Sequence, residues 1–119
     1  MIKKILNENA KKTDIFLKKY LDKQVFSDLV PPMKYGSLSG GKKIRSSVVL
    51  GAGRLFNINA VKLLNICAAV ECIHSYSLIH DDLPCMDDDK IRRSKPATHI
   101  KFGESTAILA GNSLLTLAF

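Results

Sequence analysis

The chain has 119 residues, of which 46% are hydrophobic, enough for one domain with a packed core and too many for a disordered tail. Its formal net charge of +7 favours anionic partners, although many of the basic residues are lysines in the first 23 positions, a pattern typical of a solvated helix face. Phosphates, nucleic acid and a membrane surface are the anionic partners that such a charge would suit, and the charge alone does not decide among them. The three cysteines show no C-x-x-C spacing and indicate reduced core thiols in a cytoplasmic protein. Neither a signal peptide nor a membrane-spanning segment is expected.

Hydrophobic periodicity predicts helices throughout and no strands. The first predicted element is a loosely amphipathic surface helix over residues 2–20. The double proline at 31–32 should close the next segment, and residues 35–41 form a turn-rich connector. A second helix is predicted over residues 41–56.

The longest predicted helix, from residue 60 to about 83, is mostly apolar and contains no turn-forming residues, which indicates a buried position. It must end or kink at Pro84, because proline lacks a backbone donor and disfavours helix at the residue before it. A polar loop is predicted over residues 87–103. A last apolar helix should begin at Glu104 or Ser105 and reach the final residue.

An acidic cluster follows the buried helix and holds five of the chain's eleven carboxylates: Asp81, Asp82, Asp87, Asp88 and Asp89. Crowded carboxylates repel one another unless they are solvated, protonated or shared with a cation, so a divalent metal is the economical explanation. Mg²⁺ takes one or two carboxylates and completes its shell with water and substrate phosphate. Six residues turn a straight helix by roughly 600°, so Asp81 and Asp87 share a face only if Pro84 breaks the winding. The alternative is an acidic solvated loop.

Two pairs of basic residues are candidates for binding phosphate. Arg92 and Arg93 offer forked donors that match pyrophosphate oxygens, or else they form ion pairs with the aspartates. Lys42 and Arg45 lie on one side of a helix start, directly after two glycines that let the backbone approach an anion. A plain basic first turn is the alternative for the second pair.

Histidines are the remaining candidates. His74 lies seven residues before Asp81, or two helical turns, so both belong to one polar stripe on the buried helix. A core histidine with a hydrogen-bond partner is the alternative. His80 and His99 are assigned to structural roles.

Three segments together resemble the trans-type polyprenyl diphosphate synthases, most closely the bacterial farnesyl diphosphate synthases. They are Gly-Gly-Lys-Lys-Ile-Arg at 40–45, Glu-Cys-Ile-His-Ser-Tyr-Ser-Leu-Ile-His-Asp-Asp at 71–82, and the arginine pair with Lys-Pro-Ala-Thr-His at 95–99. The resemblance implies an all-α fold with antiparallel helices of the isoprenoid synthase type around a central cavity. Residues 1–119 would be the N-terminal portion of one such domain, without its C-terminal half.

The resemblance also implies a reaction. Isopentenyl diphosphate would condense with dimethylallyl or geranyl diphosphate to give farnesyl diphosphate and pyrophosphate, with Mg²⁺ as cofactor and Mn²⁺ as its substitute. The metal-binding and catalytic aspartates would be Asp81, Asp82 and Asp87, and Arg92 would clamp the allylic diphosphate. The residues that bind isopentenyl diphosphate would be Lys42, Arg45, His74 and Arg93.

Product length in this family depends on side chains just upstream of the first aspartate, here Tyr76 and Ser77, and the bulky tyrosine favours a farnesyl product. The alternatives are a geranylgeranyl diphosphate synthase, a non-catalytic partner subunit or a remnant of the same fold. A metal-dependent phosphohydrolase that uses His80 and Asp81 is less favoured. Family members are longer and carry a second aspartate-rich motif, so we expect the 119-residue chain alone to be inactive and the full-length form to be a homodimer.

Overall fold

The computed structural model describes residues 1–25 and 27–119, which form six helices and one short hairpin. This confirms the all-α fold class. The elements are α1 (Ile2–Asp22), α2 (Val30–Ser37), α3 (Ile44–Leu55), α4 (Ala60–Asp81), β1 (Ile91–Arg92), β2 (Lys95–Pro96), α5 (Thr98–Phe102) and α6 (Glu104–Ala118).

Two predictions in the first half of the chain are wrong in their bounds. The double proline begins α2 instead of closing a segment, because proline fits the first turn of a helix, where backbone donors have no intrahelical partner. The connector predicted at 35–41 is partly helical, since α2 continues to Ser37. Helix α3 begins at Ile44 rather than near residue 41, because Gly40, Gly41 and Lys43 all adopt positive φ angles (97°, 102° and 45°).

Helix α4 is found where it was predicted. Asn59 caps its first turn, with Oδ1 accepting from the backbone N–H of Val61 at 2.8 Å. The helix ends at Asp81, shortly before the predicted end at Leu83.

The segment predicted as one loop contains regular structure. Strands β1 and β2 pair antiparallel, and the two residues between them, Arg93 and Ser94, have φ angles of 50° and 63°. Positive φ at both central residues is the requirement of the favoured two-residue hairpin turn. The prediction of no strands was therefore wrong, since a two-residue strand is too short to show alternation. Helix α5 follows directly, over residues also predicted as loop.

The core lies around α4, which packs against α1, α2, α3 and α6. Its main cluster joins Leu17 and Leu21 of α1 to Cys72 and Ile79 of α4 and to Leu114 of α6. Since α4 is held from several sides, the residues at its C-terminal end have fixed positions. In the described residues no helix is long and apolar enough to cross a membrane.

The cysteines agree only in part with their prediction. Cys67 and Cys72 are buried free thiols, and burial raises the pKa of Cys72 to about 11, which makes it an inert core residue. Cys85 is exposed, so its assignment to the core was wrong. It lies beyond the end of α4, after Pro84.

Candidate active site

The acidic cluster folds back on the end of α4. The backbone N–H of Asp87 donates to the carbonyl oxygen of Asp81 at 2.8 Å, and that of Asp89 donates to the carbonyl of Asp82 at 3.1 Å. The chain thus leaves the helical path after Asp82 and returns to it, as expected from Pro84. This backbone hydrogen bond makes Asp81 and Asp87 neighbours, although they are six positions apart in the sequence.

Asp82 has a different environment from the other aspartates. Its side chain is 3% exposed, and Arg92 of β1 donates to both of its oxygens, from Nε to Oδ2 and from Nη2 to Oδ1, each at 2.8 Å. The hydrogen bond to Asp82 raises the pKa of Arg92 above its ordinary value, with Asp82, Asp89 and Asp81 adding electrostatic attraction. The alternative considered for Arg92, an ion pair with the aspartates, is the arrangement observed. In this arrangement both oxygens of Asp82 and two of the three guanidinium nitrogens of Arg92 are engaged with each other.

Asp81 and Asp87 keep unpaired carboxylates. Asp81 is half-buried, Asp87 is exposed, and neither side chain has an ion-pair or hydrogen-bond partner within the described residues. Among residues 1–25 and 27–119, no group of three His, Cys, Asp or Glu side chains is placed to hold a metal ion. Two carboxylates of this kind nevertheless fit Mg²⁺, which takes most of its shell from water and phosphate.

A basic cleft lies beside α4, between the start of α3 and the hairpin, with a volume of about 570 Å³. All four residues predicted to bind isopentenyl diphosphate line it: Lys42, Arg45, His74 and Arg93. The structure therefore brings together residues that are up to 51 positions apart in the sequence. The positive charges of Lys42, Arg45 and Arg93, together with the backbone amides near Gly40 and Gly41, suit an anionic ligand.

Arg93 shapes this basic cleft from the hairpin turn. Its Nη1 donates to the carbonyl oxygen of Gly40 at 2.9 Å, and a Cβ atom at Gly41 would lie only 2.7 Å from Nη2. The φ of 102° favours glycine at position 41, and any side chain there would in addition displace the Arg93 guanidinium. The Gly-Gly segment at 40–41 and the arginine pair at 92–93, which are far apart in the sequence, therefore belong to one structural unit.

His74 sits opposite Arg45, whose Nη1 lies 3.5 Å from its Nε2. Partial burial lowers the pKa of His74 below its ordinary value of 6.5, and the positive charges of Arg45, Arg93 and Lys43 lower it further. Glu71 opposes this shift. His74 is therefore mostly neutral at pH 7. The guanidinium of Arg45 has only N–H donors, so the His74 Nε2 that faces it is the acceptor of any hydrogen bond between them.

We expect the pKa of His74 to rise when an anion enters the basic cleft, because the anion offsets the positive charges that depress it. The measurement is an NMR titration of the His74 ring, with and without pyrophosphate. In the free chain the folded-state pKa lies below 6.5. Hence the contribution of His74 to stability is complete above pH 6.5 and is lost as the pH falls below it. A His74 pKa that stays the same when pyrophosphate is added would contradict this expectation.

The chain-length residues lie further up α4. The Tyr76 ring is half-buried and meets the His80 ring edge-on, with centroids 5.0 Å apart, and the Ser77 hydroxyl donates to the carbonyl of His74 at 2.6 Å. His80 is itself fixed by α6, where its Nε2 donates to the carbonyl of Ile108 at 3.0 Å. The structural assignment of His80 agrees with this contact.

Two polar pairs beside the basic cleft, the first of them fully buried, were missed from sequence. The Ser46 hydroxyl donates to Glu71 Oε1 at 2.8 Å, and both residues are buried. The ammonium of Lys43 lies 3.1 Å from Asp14 Oδ1 of α1. Glu71 belongs to the polar stripe that contains His74, which is the one signal that could have revealed the first pair.

Comparison with known proteins matches residues 27–119 to the family described as polyprenyl synthetase. The farnesyl diphosphate synthase of Escherichia coli is 56% identical over 91 residues, and that of Bacillus subtilis is 44% identical over 115 residues. A crystal structure described as a geranyltransferase from Legionella pneumophila superposes with a TM-score of 0.93 at 39% identity and covers 98% of this chain.

These matches cover 76% of the chain for the Escherichia coli enzyme and 96% for the Bacillus subtilis enzyme. In the other direction, the chain spans 30% and 39% of those enzymes and 41% of the Legionella pneumophila structure. The family match itself extends over most of the sequence, and the fold is shared at high similarity. The chain therefore belongs to the polyprenyl synthetase family.

Proposed function

We propose that this chain supplies one wall of a prenyltransferase active site, which condenses isopentenyl diphosphate with dimethylallyl diphosphate to give geranyl diphosphate, and a second isopentenyl diphosphate with geranyl diphosphate to give farnesyl diphosphate. Each condensation releases one pyrophosphate. The observation that carries the proposal is the placement of two complementary sites on one helix. His74, in the basic cleft, precedes Asp81 by seven residues, which corresponds to about 10 Å along α4. Two diphosphates bound at these sites would bring their carbon chains side by side.

The chain's own residues would bind and orient both substrates. Lys42, Arg45 and Arg93 would hold the diphosphate of isopentenyl diphosphate, with neutral His74 as a hydrogen-bond partner. The C–O bond of the allylic substrate breaks, and its electron pair leaves with pyrophosphate. The double bond of isopentenyl diphosphate then forms the new C–C bond to the allylic carbon. The carbocation that results loses a proton to the released pyrophosphate, which restores a double bond in the product. Fixed charges around both diphosphates favour this separation of charge.

Asp81 and Asp87 would hold Mg²⁺, or Mn²⁺ in its place, against the allylic diphosphate, and Asp82 would join them if it releases part of its contact with Arg92. The bound ion supplies a positive charge for the leaving pyrophosphate. Arg92 would help to clamp that diphosphate only if it releases part of its contact with Asp82. As an alternative role within the same proposal, Arg92 acts by fixing Asp82 and thereby the end of α4.

Tyr76 supports the farnesyl product over a geranylgeranyl product. Its ring is held by His80 and packs against the main core cluster, so it presents a fixed obstacle along α4 instead of a mobile one. Ser77 would add little bulk beside it. A homodimeric full-length form stays a prediction that rests on the family resemblance, and a cytoplasmic location stays one that rests on the cysteines.

The test uses a hybrid enzyme in which residues 1–119 are joined to the part of the Bacillus subtilis farnesyl diphosphate synthase that follows its matched region. We expect the hybrid, with isopentenyl and dimethylallyl diphosphates and Mg²⁺, to release pyrophosphate and form farnesyl diphosphate, identified by chromatography. The chain alone should show no turnover. A hybrid that folds, as judged by circular dichroism, but forms no prenyl product would contradict the proposal. A product with four isoprene units would select the geranylgeranyl alternative.

A metal-dependent phosphohydrolase is not favoured by the geometry. That activity would use His80 with Asp81 as ligands, but the His80 ring is engaged with the Ile108 carbonyl and with Tyr76. Replacing His80 with glutamine separates the two functions. Mg²⁺ binding should be unchanged for the synthase and lost for the hydrolase.

A further inference from the structure

We infer that Asp14 and Lys43 form a positioning pair that holds the Gly40-Gly41 turn of the basic cleft, so that α1 is a functional part of this site. The inference rests on the proposed function for its ligand class, a diphosphate. It adds two residues to which neither the sequence motifs nor the comparisons assign a role.

The two adjacent lysines before α3 both line the basic cleft but differ in exposure. Lys42 is exposed to solvent. Lys43 has a side chain that is only 4% exposed, and its ammonium is 3.1 Å from Asp14 Oδ1 and donates to the carbonyl oxygen of Ser37 at 3.3 Å. A buried ammonium needs such partners, because removal from water is costly unless the charge is compensated.

These contacts close the loop that carries the ligand-binding turn. Ser37 is the last residue of α2 and Lys43 is the N-cap of α3, so the lysine side chain spans the loop from its end to its beginning. Gly40, Gly41 and Lys42 lie within the closed segment. The Asp14 contact ties the same segment to α1, which in turn packs against α3 and α4.

The backbone at Lys43 depends on this closure. Its φ of 45° and ψ of 49° place a residue with a side chain in the left-handed region, where residues other than glycine are uncommon. Such a conformation persists when its surroundings fix it. The ion pair with Asp14 and the bond to Ser37 provide the fixed surroundings, and the left-handed residue in turn sets where α3 and its free amides begin.

The location of Asp14 sharpens the inference. Residues 1–26 precede the region that matches the family, yet Asp14 lies one turn from Leu17, a core residue of α1. The aspartate oxygen that faces Lys43 is buried and accepts no hydrogen bond apart from this ionic contact. Its role is thus explained by charge compensation of Lys43 within the described residues.

The experiment compares four variants of the 119-residue chain by two readouts: the affinity for inorganic pyrophosphate from calorimetry and the amide NMR signals of Gly40 and Gly41. We expect Asp14→Asn and Lys43→Met to weaken pyrophosphate binding about tenfold and to move both glycine signals, since displacement of a binding turn by about 1 Å has effects of this size or larger. Lys43→Arg keeps the charge and should stay within about twofold of the unsubstituted chain. Lys34→Met is the matched control, because it breaks an ion pair between α2 and α1 that lies away from the basic cleft.

Glycine signals and affinities that stay unchanged in Asp14→Asn and Lys43→Met would overturn the inference, as would an equal effect of Lys34→Met. If a single variant fails to fold, the double variant Asp14→Asn with Lys43→Met removes both charges and gives the same two readouts. Failure of the proposed function looks different. In that case the unsubstituted chain binds no pyrophosphate, while the movement of the glycine signals still reports whether the pair positions the turn.

Discussion

Replacement of Arg92 by methionine is expected to lower the free energy of unfolding by about 3 kcal/mol, because it leaves the buried carboxylate of Asp82 without its partner. Asp82 is fully enclosed, and both of its oxygens accept from Arg92. The reverse change, Asp82→Asn, should cost about half as much, near 1.5 kcal/mol. A third of the Arg92 side chain is exposed, so water can replace part of what the guanidinium loses.

Urea unfolding followed by circular dichroism measures this difference. The matched control is Arg54→Met, since Arg54 is exposed in the last turn of α3 and makes no ion pair within the described residues. Its effect should stay within about 0.5 kcal/mol. Equal midpoints for Arg92→Met and Arg54→Met would show that the pair contributes nothing and that Arg92 is available to a ligand.

Most helices could be predicted because their signals are local. The apolar content of α4 and the proline that follows it predict both the helix and its end to within two residues. The polar residues on that helix predict that His74 and the aspartates work together, which stays a prediction; the structure places His74 in the basic cleft and Asp81 two turns further along the same helix. What sequence alone left open was the choice between two roles for Arg92, since an arginine fork suits a carboxylate and a diphosphate equally well.

The missed features depend on contacts between distant parts of the chain. Asp14 and Lys43 are 29 positions apart, and no periodicity links them. In the sequence each of them looks like an ordinary charged surface residue. Only the packing of α1 on α3 buries the Lys43 ammonium. The hairpin was missed for a local reason. Its turn has Arg93 and Ser94 at positive φ, where glycine and asparagine usually mark such turns in a sequence.

Replacement of Asp81 by asparagine is expected to lower kcat of the hybrid enzyme about 1,000-fold, with little change in stability. Asp81 is half-buried and its carboxylate has no partner within the described residues, so the amide fits the same space without breaking an ion pair. The loss falls on the reaction, because Mg²⁺ with one carboxylate ligand fewer is held less firmly against the leaving pyrophosphate. The charge stabilisation that a bound metal ion supplies is several kcal/mol. Asp87→Asn should behave in the same way, since the fold-back of the chain bonds the backbone N–H of Asp87 directly to the carbonyl oxygen of Asp81.

Asp88→Asn is the control for both, because Asp88 lies in the same segment, is exposed, and has a φ of 54° that asparagine adopts readily. Its kcat should stay within about twofold of the unsubstituted hybrid, since a change at an exposed site without partners is usually small. Steady-state pyrophosphate release at saturating Mg²⁺ measures all three variants, and unfolding midpoints confirm that each one folds. If all three lost activity equally, the acidic cluster would act through its total charge. Selective loss at Asp81 and Asp87 is the result that two specific metal ligands require, because an effect of total charge would appear equally in Asp88→Asn.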